Sequence, residues 1–458
     1  MTERFDVVVV GARCAGSPLA ALLAREGVRV VVVERATFPC DTLSSHVFEA
    51  DGLAFLARLG LTERLRATGA PFMRRVDNRV EDFRWVAEIP QYPGDVGGIA
   101  SVRRPVLDPI LAQAAEDAGA EVRFATNVTG LVLEAGRVRG VRVVTAGGES
   151  ELHGALVVGA DGRNSTIAKL CGARRYNLTP NERVSYWSYF EGANVGAEPT
   201  FVFHTWANRL VFGAPTDGGL YLALAMPELS ELDGFRGDIE GSLMRYVTQC
   251  EPVAAALEGA QRVGKVLGAV RWTGFFRDAS GPGWVLVGDA GHHKDPAPGR
   301  GISDAFRQVD VLAPAIVAGL DGSGHRLDET LKRWGRWRDR EFADRYWMAA
   351  DLGKAGPPPT PAAELVRRLH AQGKIDLVMD LLSQRRRPSA VLSPPRLFGA
   401  TGRLLARRGC DRRALLREVG SLVAEDSRRR WRNRRPAYAP EDAITDQAGP
   451  NELDEDST

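Results

Sequence analysis

The sequence predicts an α/β protein with a parallel Rossmann-type sheet, an interleaved antiparallel sheet and a helical C-terminal segment. Three observations lead to this prediction. Residues 5–35 read as apolar strand, glycine-rich turn, helix and apolar strand. Two further short apolar runs end in polar glycine motifs, near residues 159 and 288. Between them, residues 183–269 contain successive short strands with turn signals, which favours an antiparallel sheet.

The first stretch carries the signal of a dinucleotide-binding unit. Residues 7–10 are a continuous valine run, as expected for a strand buried on both faces of a parallel sheet. Gly11, Arg13 and Gly16 follow at the spacing of a phosphate-binding turn, and Glu34 ends the next strand about 20 residues on. Such a turn binds pyrophosphate at the helix N-terminus, and the acid binds a ribose hydroxyl. The alternative is a βαβ unit that binds no nucleotide.

Arg13 departs from the usual pattern of this turn. The second glycine of the motif normally lets the backbone approach the pyrophosphate, and Arg13 stands at that position. Its side chain either obstructs the approach or directs a planar guanidinium fork at the phosphate oxygens. The sequence leaves both interpretations open.

Composition places the chain among globular proteins of two or three domains. Of its 458 residues 44% are hydrophobic and 26% charged, and the formal net charge of +2 favours neither nucleic acid nor an acidic partner. The five cysteines form no C-x-x-C pair, which predicts free thiols, a reducing compartment and no metal site. No run approaches the roughly 20 apolar residues of a membrane span, and Asp6 interrupts the N-terminal valines too early for a signal peptide. We therefore expect a cytoplasmic protein.

Two polar stretches follow predicted strands and face the expected ligand side of the sheet. The loop 38–49 comes after Glu34, at the carboxyl side of the sheet where ligands bind. Its His46 either contacts a cofactor ring or caps the next helix. Asp161 and Gly162 follow the apolar strand 152–159, and such a pair can turn sharply and present polar groups to a cleft.

A second glycine-rich entry to a helix follows the motif at residue 288. Gly299 and Gly301 precede a helix predicted over 303–318, whose free N–H groups can face an anionic or electron-rich ring. The histidines and aspartate upstream crowd one short turn without another ligand nearby, so no metal site is predicted. These residues are His292, His293 and Asp295.

The predicted antiparallel sheet is rich in aromatic residues. Such a sheet can form the wall of a substrate pocket beside a cofactor, or its aromatic residues can serve packing alone. The substrate-pocket candidates are Tyr186, Trp187, Tyr189 and His204.

The C-terminal third is predicted to be helical and to form a separate segment after the proline-rich break at 356–361. Helices are expected over 331–352, 362–382 and 397–431. Six arginines lie between 428 and 435, and seven acids without a Lys or Arg lie between 441 and 456. We interpret this pattern as a solvated helix end followed by a disordered acidic tail. Nucleic-acid binding is not predicted, because only Trp431 interleaves the arginines.

Three separated motifs together resemble the FAD-dependent oxidoreductases of the para-hydroxybenzoate hydroxylase fold, which include aromatic monooxygenases, geranylgeranyl reductases and flavin halogenases. The motifs are the turn at 11–16 with Glu34, the Gly-Ala-Asp-Gly at 159–162, and Gly288-Asp289 with the glycines that follow. The resemblance spans about residues 5–340. Besides Arg13, two positions depart from the monooxygenase pattern. Ser303 stands where monooxygenases often have asparagine, and Gln308 stands where they often have aspartate.

The resemblance implies a set of FAD contacts. Glu34 is expected at the adenosine ribose, Arg104 near the phosphates, Asp289 at the ribityl chain or phosphate, and the helix N-terminus at 301–303 near the flavin pyrimidine edge. The full set of implied FAD-binding residues is Gly11, Ala12, Arg13, Ala15, Gly16, Glu34, Arg35, Arg104, Val128, Asp161, Gly162, Gly288, Asp289, Pro296, Gly299, Gly301, Ile302 and Ser303.

The implied reaction is that of a single-component FAD-dependent monooxygenase. NAD(P)H would reduce the FAD, O2 would form a flavin hydroperoxide, and an aromatic or other electron-rich small molecule would be hydroxylated. His46 and Tyr189 are the candidate catalytic residues. One alternative is a geranylgeranyl-reductase-like enzyme that reduces an isolated double bond, and another is a non-catalytic FAD-binding interaction protein. A tryptophan halogenase is disfavoured because no W-x-W-x-I-P segment occurs.

The expected domain organisation is discontinuous. The nucleotide-binding motifs are separated by sheet-like insertions, so the FAD-binding domain must be assembled from several pieces. The boundaries expected are 1–75, 101–182 and 270–325 for the FAD-binding domain, 76–100 and 183–269 for the substrate-binding sheet domain, 326–440 for the helical segment, and 441–458 for the acidic tail.

Overall fold

The computed structural model describes residues 2–42, 44, 46–383 and 385–440. The acidic tail expected at 441–458 lies outside the described residues. The strands are β1 Thr2–Arg4, β2 Val7–Val10, β3 Val30–Val33, β4 Val47–Phe48, β5 Arg75–Val80, β6 Phe83–Glu88, β7 Ala100–Ser101, β8 Glu121–Arg123, β9 Asn127–Glu134, β10 Arg137–Thr145, β11 Gly148–His153, β12 Leu156–Gly159, β13 Arg175–Pro180, β14 Ser185–Glu191, β15 Thr200–Trp206, β16 Arg209–Pro215, β17 Tyr221–Ala225, β18 Gln261–Ala269, β19 Thr273–Arg277, β20 Ser280–Gly281, β21 Trp284–Leu286 and β22 His292–His293.

The α-helices alternate with strands in the first half of the chain and follow one another in the second half. They are α1 Gly16–Arg25, α2 Ala50–Arg58, α3 Thr62–Arg66, α4 Arg104–Asp117, α5 Thr166–Leu170, α6 Leu232–Arg236, α7 Ile239–Val247, α8 Glu251–Ala256, α9 Gly301–Leu320, α10 Gly324–Leu352, α11 Thr360–Ala371, α12 Asp376–Leu382, α13 Pro388–Val391, α14 Pro394–Ala406 and α15 Arg412–Arg434. This mixture of elements confirms the predicted α/β class.

A parallel sheet forms the centre of the nucleotide-binding part, in the strand order β8-β3-β2-β12-β21, with β20 added at one edge. The valines of β2 alternate between two cores. Val7 and Val9 pack on the side of α1 and α9, whereas Val8 and Val10 pack on the side of the four-stranded sheet β1-β11-β10-β9. The strand is therefore buried on both faces, as its continuous valine run predicts.

The register of this sheet aligns the carboxyl ends of its strands. Val10 lies opposite Val33 on one side and opposite Gly159 on the other, and Gly159 lies opposite Leu286. The turns that follow β2, β3, β12 and β21 therefore emerge at the same edge. Three motifs that are far apart in sequence meet there.

The second large sheet has the order β18-β14-β17-β16-β15-β5-β6, and all of its neighbouring strands are antiparallel except β15 and β5. Its outer face packs against α6, α7 and α8. Its inner face packs against the loop before α2 and against the helices α11–α14. The interior strand β17 thus has both faces covered, which explains why its five consecutive residues are buried.

The C-terminal helices pack on the antiparallel sheet, while the domain boundaries expected from the sequence stay a prediction. Leu365, Met379, Val391 and Ala400, from four successive helices, share one core with Trp187 of the sheet. The helices are short and amphipathic, so they bury their apolar faces on the nearest apolar surface, which is the inner face of the sheet. In the ranges that the structure describes, no helix is both long and apolar enough to cross a membrane.

Two helical regions are divided or shifted. Residues 232–256, within the stretch 183–269, form the three helices α6, α7 and α8; Gly237 ends the first and a proline in the first turn begins the third. The helix expected from 303 begins at Gly301. A glycine is a poor helix former, so the sequence pattern placed this helix start too late.

Arg338 joins α10 to the elements that surround the site. The side chain is fully buried, and it donates hydrogen bonds to the carbonyl oxygens of Gly291 and Arg277, at 3.0 and 2.7 Å. It also binds the carboxylate of Asp339 and the hydroxyl of Tyr176. A buried guanidinium is tolerated only when its donors are satisfied in this way.

Arg338→Ala is expected to destabilise the fold by about 3–5 kcal/mol, because two buried carbonyl groups and a carboxylate lose their donor. Chemical denaturation measures this difference. Arg340→Ala on the exposed side of the same helix serves as the matched control, since Arg340 bonds to the carbonyl of Arg336 within its own helix. Equal free energies of unfolding for the two variants would contradict this role of Arg338.

Candidate functional site

The turn after β2 is closely packed. Gly11 has φ +103° and donates its N–H to the carbonyl of Val33, and a β-carbon there would collide with the carbonyl of Ala160. A β-carbon on Gly16 would overlap the carbonyl oxygen of Gly11. Both glycines are therefore required by the geometry of the turn itself.

The N-terminus of α1 is open to an anion. Among the described residues, no side chain caps this helix at Ala15. Ala12 lies in the same turn and donates its N–H to Oε2 of Glu34 at 3.0 Å, while Ala36 donates to Oε1 at 3.1 Å. These bonds fix the Glu34 carboxylate at the tip of β3 beside the turn, where it still has lone pairs for a ribose hydroxyl.

Arg13 points toward carboxylates and a thiol. Its guanidinium lies 4.0 Å from Glu34 and 3.9 Å from Asp108, and it donates to Sγ of Cys40 at 3.2 Å. About a quarter of the side chain is exposed. The two anions thus hold a cation beside the helix N-terminus without enclosing it, and both interpretations of this residue stay open.

Arg104 begins α4 next to this turn. It donates to Oδ1 of Asp108 at 2.8 Å, four residues later on the same helix. Oδ2 of that fully buried carboxylate has no hydrogen-bond partner among the residues described. Cys14 also lies against Asp108, and burial raises its thiol pKa to about 12, so the thiol stays protonated. Arg104 is held here as a cation, whereas Arg35 is exposed at the surface.

Two of the residues predicted to contact FAD, Asp161 and Val128, also interact with other parts of the protein. Asp161 accepts hydrogen bonds from Oγ of Ser165 at 2.5 Å and from N of Ile167 at 3.1 Å, so it organises the N-terminus of α5. Gly162 follows with φ +79°. The side chain of Val128 lies in the core between the two sheets of this domain.

Gly288 and Asp289 follow β21 and lie beside the first turn. A β-carbon on Gly288 would come within 3.0 Å of the methyl group of Ala15. Its N–H donates to Oε1 of Gln308 at 3.0 Å, so the amide oxygen supplies an acceptor where related sequences often have an aspartate. The Asp289 carboxylate is 45% exposed and bonds to Nδ1 of His293 at 3.1 Å. This acid is therefore available to a ligand.

The second glycine-rich entry forms a tight turn before α9. Gly299 has φ +71° and donates its N–H to the carbonyl of Pro296 at 2.7 Å. Gly301 is exposed, and no described atom lies within 4 Å of where its β-carbon would stand. Arg300 precedes the helix, is buried, and has an Nη1 group without a partner in the described ranges. Ile302 is buried behind the turn.

Ser303 is bonded to a residue 254 positions earlier in the chain. Its Oγ accepts the N–H of Glu49 at 3.1 Å and donates to Oε2 of Glu49 at 2.6 Å. The Glu49 carboxylate is buried and lies 3.8 Å from Arg300. Burial raises the pKa of Glu49 to about 7, although Arg300 opposes this shift.

His46 lies between the nucleotide-binding edge and the aromatic sheet. Its ring is completely buried, and neither ring nitrogen has a hydrogen-bond partner in the part of the chain that the structure describes. The backbone has φ +57°, which is unusual outside glycine. The centre of the His46 ring is 5.9 Å from that of the Tyr189 ring. The guanidinium of Arg103 lies over the Tyr189 ring, 5.5 Å from its centre.

The structure separates the four substrate-pocket candidates by the two faces of the sheet. Trp187 and Tyr189 point to the inner face, toward His46. Tyr186 points to the outer face and stacks on Phe235 at 4.5 Å, and His204 is bonded there to Asp77 at 2.9 Å. Side chains alternate along a strand, so neighbouring candidates could not share one pocket.

The histidine–aspartate turn is held by ordinary packing. His292 lies among aromatic rings at 4.4 Å from Phe276, His293 bonds to Asp289, and Asp295 accepts the indole N–H of Trp272 at 2.9 Å. Within the described ranges, no group of three His, Cys, Asp or Glu side chains forms a possible metal site.

Comparison with known proteins gives the chemistry of this site. The FAD binding domain profile matches residues 4–207, which include the first two motifs. The digeranylgeranylglycerophospholipid reductase of Methanosarcina mazei is 28% identical over 357 residues, covering 74% of this chain and 82% of its own. The 6-methylpretetramide 4-monooxygenase of Streptomyces rimosus is 28% identical over 397 residues, covering 80% and 90%.

The protein is an FAD-dependent oxidoreductase. The solved structure of the myxobacterial chondrochloren halogenase shares its fold, with a TM-score of 0.67 at 22% identity over 87% of this chain and 97% of that chain. The recognised family, the fold class and the FAD cofactor expected from the sequence are thus confirmed, and NAD(P)H is the electron donor typical of the family.

The side chains of the oxidoreductase fit FAD. The uncapped N-terminus of α1 suits the pyrophosphate. The carboxylate of Glu34, which is fixed by backbone hydrogen bonds, suits a ribose hydroxyl. Buried polar atoms lacking partners among the described residues also lie along this edge, in His46, Asp108 and Arg300. Such atoms cost free energy unless a ligand satisfies them.

Sequence reasoning missed Glu49 as a member of the site. An acid in the otherwise apolar run before α2 was the available signal, but its partner Ser303 is too distant in sequence to be inferred. Asp108 was also not predicted as a site residue, although its spacing of four from Arg104 indicates an ion pair.

Gly16→Ala in the oxidoreductase is expected to weaken FAD binding about tenfold or more, because the new methyl group must displace the carbonyl of Gly11. The ratio of flavin to protein absorbance after gel filtration measures occupancy. Gly420→Ala on the exposed helix α15 is the control, and no described atom lies near its added β-carbon. Full occupancy in both variants would contradict the assignment of the turn.

Arg13→Gly is expected to lower FAD affinity, since it removes the cation held beside the helix N-terminus. Arg13→Lys keeps the charge but loses the planar fork, and should fall between the wild type and the glycine variant. Equilibrium titration of the apoprotein with FAD gives the three dissociation constants. Tighter binding by the glycine variant would show that Arg13 obstructs the cofactor.

Proposed function

We propose that the protein is a monooxygenase that uses NAD(P)H and O2 to hydroxylate an aromatic or other electron-rich small molecule. The bound FAD supplies the redox chemistry, and the chain supplies binding, orientation and exclusion of water. Glu34 and the turn at 11–16 hold the adenosine half and its pyrophosphate. Asp289 and the N-terminus of α9 hold the flavin half.

The observation that carries the proposal is the buried ring of His46, whose nitrogens have no hydrogen-bond partner among the described residues. A buried polar group without a partner costs about 1–3 kcal/mol, and among the described residues both nitrogens of this ring have none. A phenolic or carbonyl oxygen in the substrate removes this cost by bonding to the ring. An isolated carbon–carbon double bond has no group that can do so.

The neutral forms of His46 and Tyr189 are the reactive partners for such a substrate. Burial lowers the pKa of His46 to about 3, and the nearby cations Arg104 and Arg103 lower it further in the same direction. Burial raises the pKa of Tyr189, so its hydroxyl remains protonated. The two side chains therefore bind and orient a substrate oxygen by hydrogen bonding, and the neutral His46 ring has a nitrogen that can accept a hydrogen bond from a phenolic hydroxyl.

The monooxygenase from Streptomyces rimosus supports this choice. It aligns with more of this chain than the archaeal reductase does, 80% against 74%, and that alignment covers 90% of its own length. An aromatic inner wall that includes Trp187 and Tyr189 also suits a planar substrate.

Reduction of an isolated double bond is the second candidate. The relative from Methanosarcina mazei that matches 74% of this chain is named as a reductase of a digeranylgeranyl lipid. The apolar inner face of the sheet and the helices against it are also compatible with a prenyl chain. The two candidates differ in their need for O2.

The deciding experiment follows NAD(P)H oxidation and O2 consumption together over a panel of phenols, polycyclic aromatic compounds and prenyl lipids. We expect a phenolic or polycyclic compound to accelerate both rates and to give a product heavier by one oxygen atom. Turnover of a prenyl lipid under anaerobic conditions, with a product heavier by two hydrogen atoms, would establish the reductase instead.

Tyr189→Phe is expected to raise the KM for a phenolic substrate about tenfold, because one hydrogen bond of roughly 1.4 kcal/mol is lost. Tyr186→Phe is the matched control, since it is on the same strand but points to the outer face. Steady-state kinetics measure both. Equal KM values for the two variants would indicate that the substrate binds away from the inner face of the sheet.

A further inference from the structure

A buried acid stands behind the N-terminus of α9, and the proposed reaction does not use it. Glu49 belongs to the segment that links His46 to α2, and its carboxylate is bonded to Ser303 in the first turn of α9. α2 and α9 are in close contact at this point, since a β-carbon on Gly52 would come within 2.9 Å of the Ser303 hydroxyl. The acid is therefore fixed to the helix terminus.

The helix terminus in front of Glu49 is the end that opens to the ligand side. Gly301 is exposed there. The buried guanidinium group of Arg300 also lies at this terminus, and its Nη1 has no hydrogen-bond partner among the described residues. The same guanidinium lies 3.8 Å from Glu49. A change of charge on a ligand at this terminus will therefore alter the electrostatic energy of the Glu49 carboxylate, which is linked to the terminus by Arg300 and Ser303. Water does not screen this interaction, because the region is buried.

We propose that Glu49 is a redox-linked proton site, which takes up one proton from solvent when a pair of electrons enters the bound FAD. The electrons come from a nicotinamide hydride in turnover or from dithionite in the test below. Negative charge that develops at the terminus of α9 on reduction makes the anionic form of Glu49 less favourable. The carboxylate then becomes a carboxylic acid, and on reoxidation it returns the proton.

The charges that face Glu49 permit a change of state near neutral pH. Arg300 and Lys294 favour the anion, Asp51 on α2 opposes it, and the hydrogen bond from Ser303 favours it. Lys294 is largely neutralised by its ion pair with Asp304. Burial outweighs the favourable contacts, so the pKa of Glu49 stands at about 7 and rises further when negative charge arrives.

The proposal depends on FAD binding alone and is independent of the substrate. The test measures the FAD midpoint potential by reduction with dithionite in the presence of a reference dye, from pH 5.5 to 9, without substrate. Failure to find a hydroxylated substrate therefore leaves this measurement unaffected.

Wild type and Glu49→Gln are expected to have the same midpoint potential below about pH 6.5, where the acid is protonated in both redox states. Above pH 7 the wild-type potential should fall more steeply, by about 30 mV per pH unit, because one additional proton accompanies two electrons. Ser303→Ala removes a hydrogen bond that favours the anion, so the steep region should begin at higher pH.

Glu364→Gln is the control, because Glu364 is also a buried acid but is paired with Arg407 in the C-terminal helices. Its profile should follow the wild type. Parallel profiles for wild type and Glu49→Gln at every pH would overturn the proposal.

A second measurement requires only the wild-type protein. Proton uptake on reduction, followed with an indicator dye in weakly buffered solution, should exceed that of free FAD by up to one proton per flavin between pH 7 and 8. Equal uptake by protein-bound and free FAD in this range would also overturn the proposal, even if Glu49→Gln fails to bind the cofactor.

Discussion

The site depends on the parallel register of the central sheet. Val10, Gly159 and Leu286 lie side by side on adjacent strands, so the turns that begin at residues 11, 160 and 288 emerge together. These turns also contact each other directly. The β-carbons that Gly11 and Gly288 lack would meet the carbonyl of Ala160 and the methyl group of Ala15. The glycines are thus as much a requirement of the contact between turns as of the ligand.

Buried polar and charged groups are concentrated around the same edge, and several of them have a specific partner. Gln308 accepts from Gly288, Ser303 is bonded to Glu49, and Arg338 connects α10 to the carbonyl groups near the motif after β21. Charges and polar groups in such a place are stabilised only by partners of good geometry. At 303 and 308, two positions that depart from the usual monooxygenase pattern, the residues present each make a buried hydrogen bond, Ser303 with Glu49 and Gln308 with Gly288.

The antiparallel sheet shows where sequence reasoning stopped. The aromatic strand β14 was recognised, but the sequence did not say which of its two faces points to the cofactor. The structure divides Tyr189 and Trp187 from Tyr186 because side chains alternate along a strand. The helices α11–α14 cover the inner face, and one hydrophobic core there contains residues almost 200 positions apart, such as Trp187 and Met379. No local pattern contains that information.

The FAD cofactor was expected from a family resemblance that three separated motifs carry together. The sequence by itself also determined the α/β class and the nucleotide turn, because these depend on local patterns. A valine run, two closely spaced glycines and an acid after the next strand act within about 30 residues. The tertiary structure alone decided which buried groups face one another. His46 meets Tyr189 because the segment before α2 packs on the inner sheet face, and Glu49 meets Ser303 because α2 packs on α9, although the partners lie 143 and 254 residues apart along the chain. The physical reason is that burial removes water from these polar groups, so their partners are chosen by the packing and not by their neighbours in sequence.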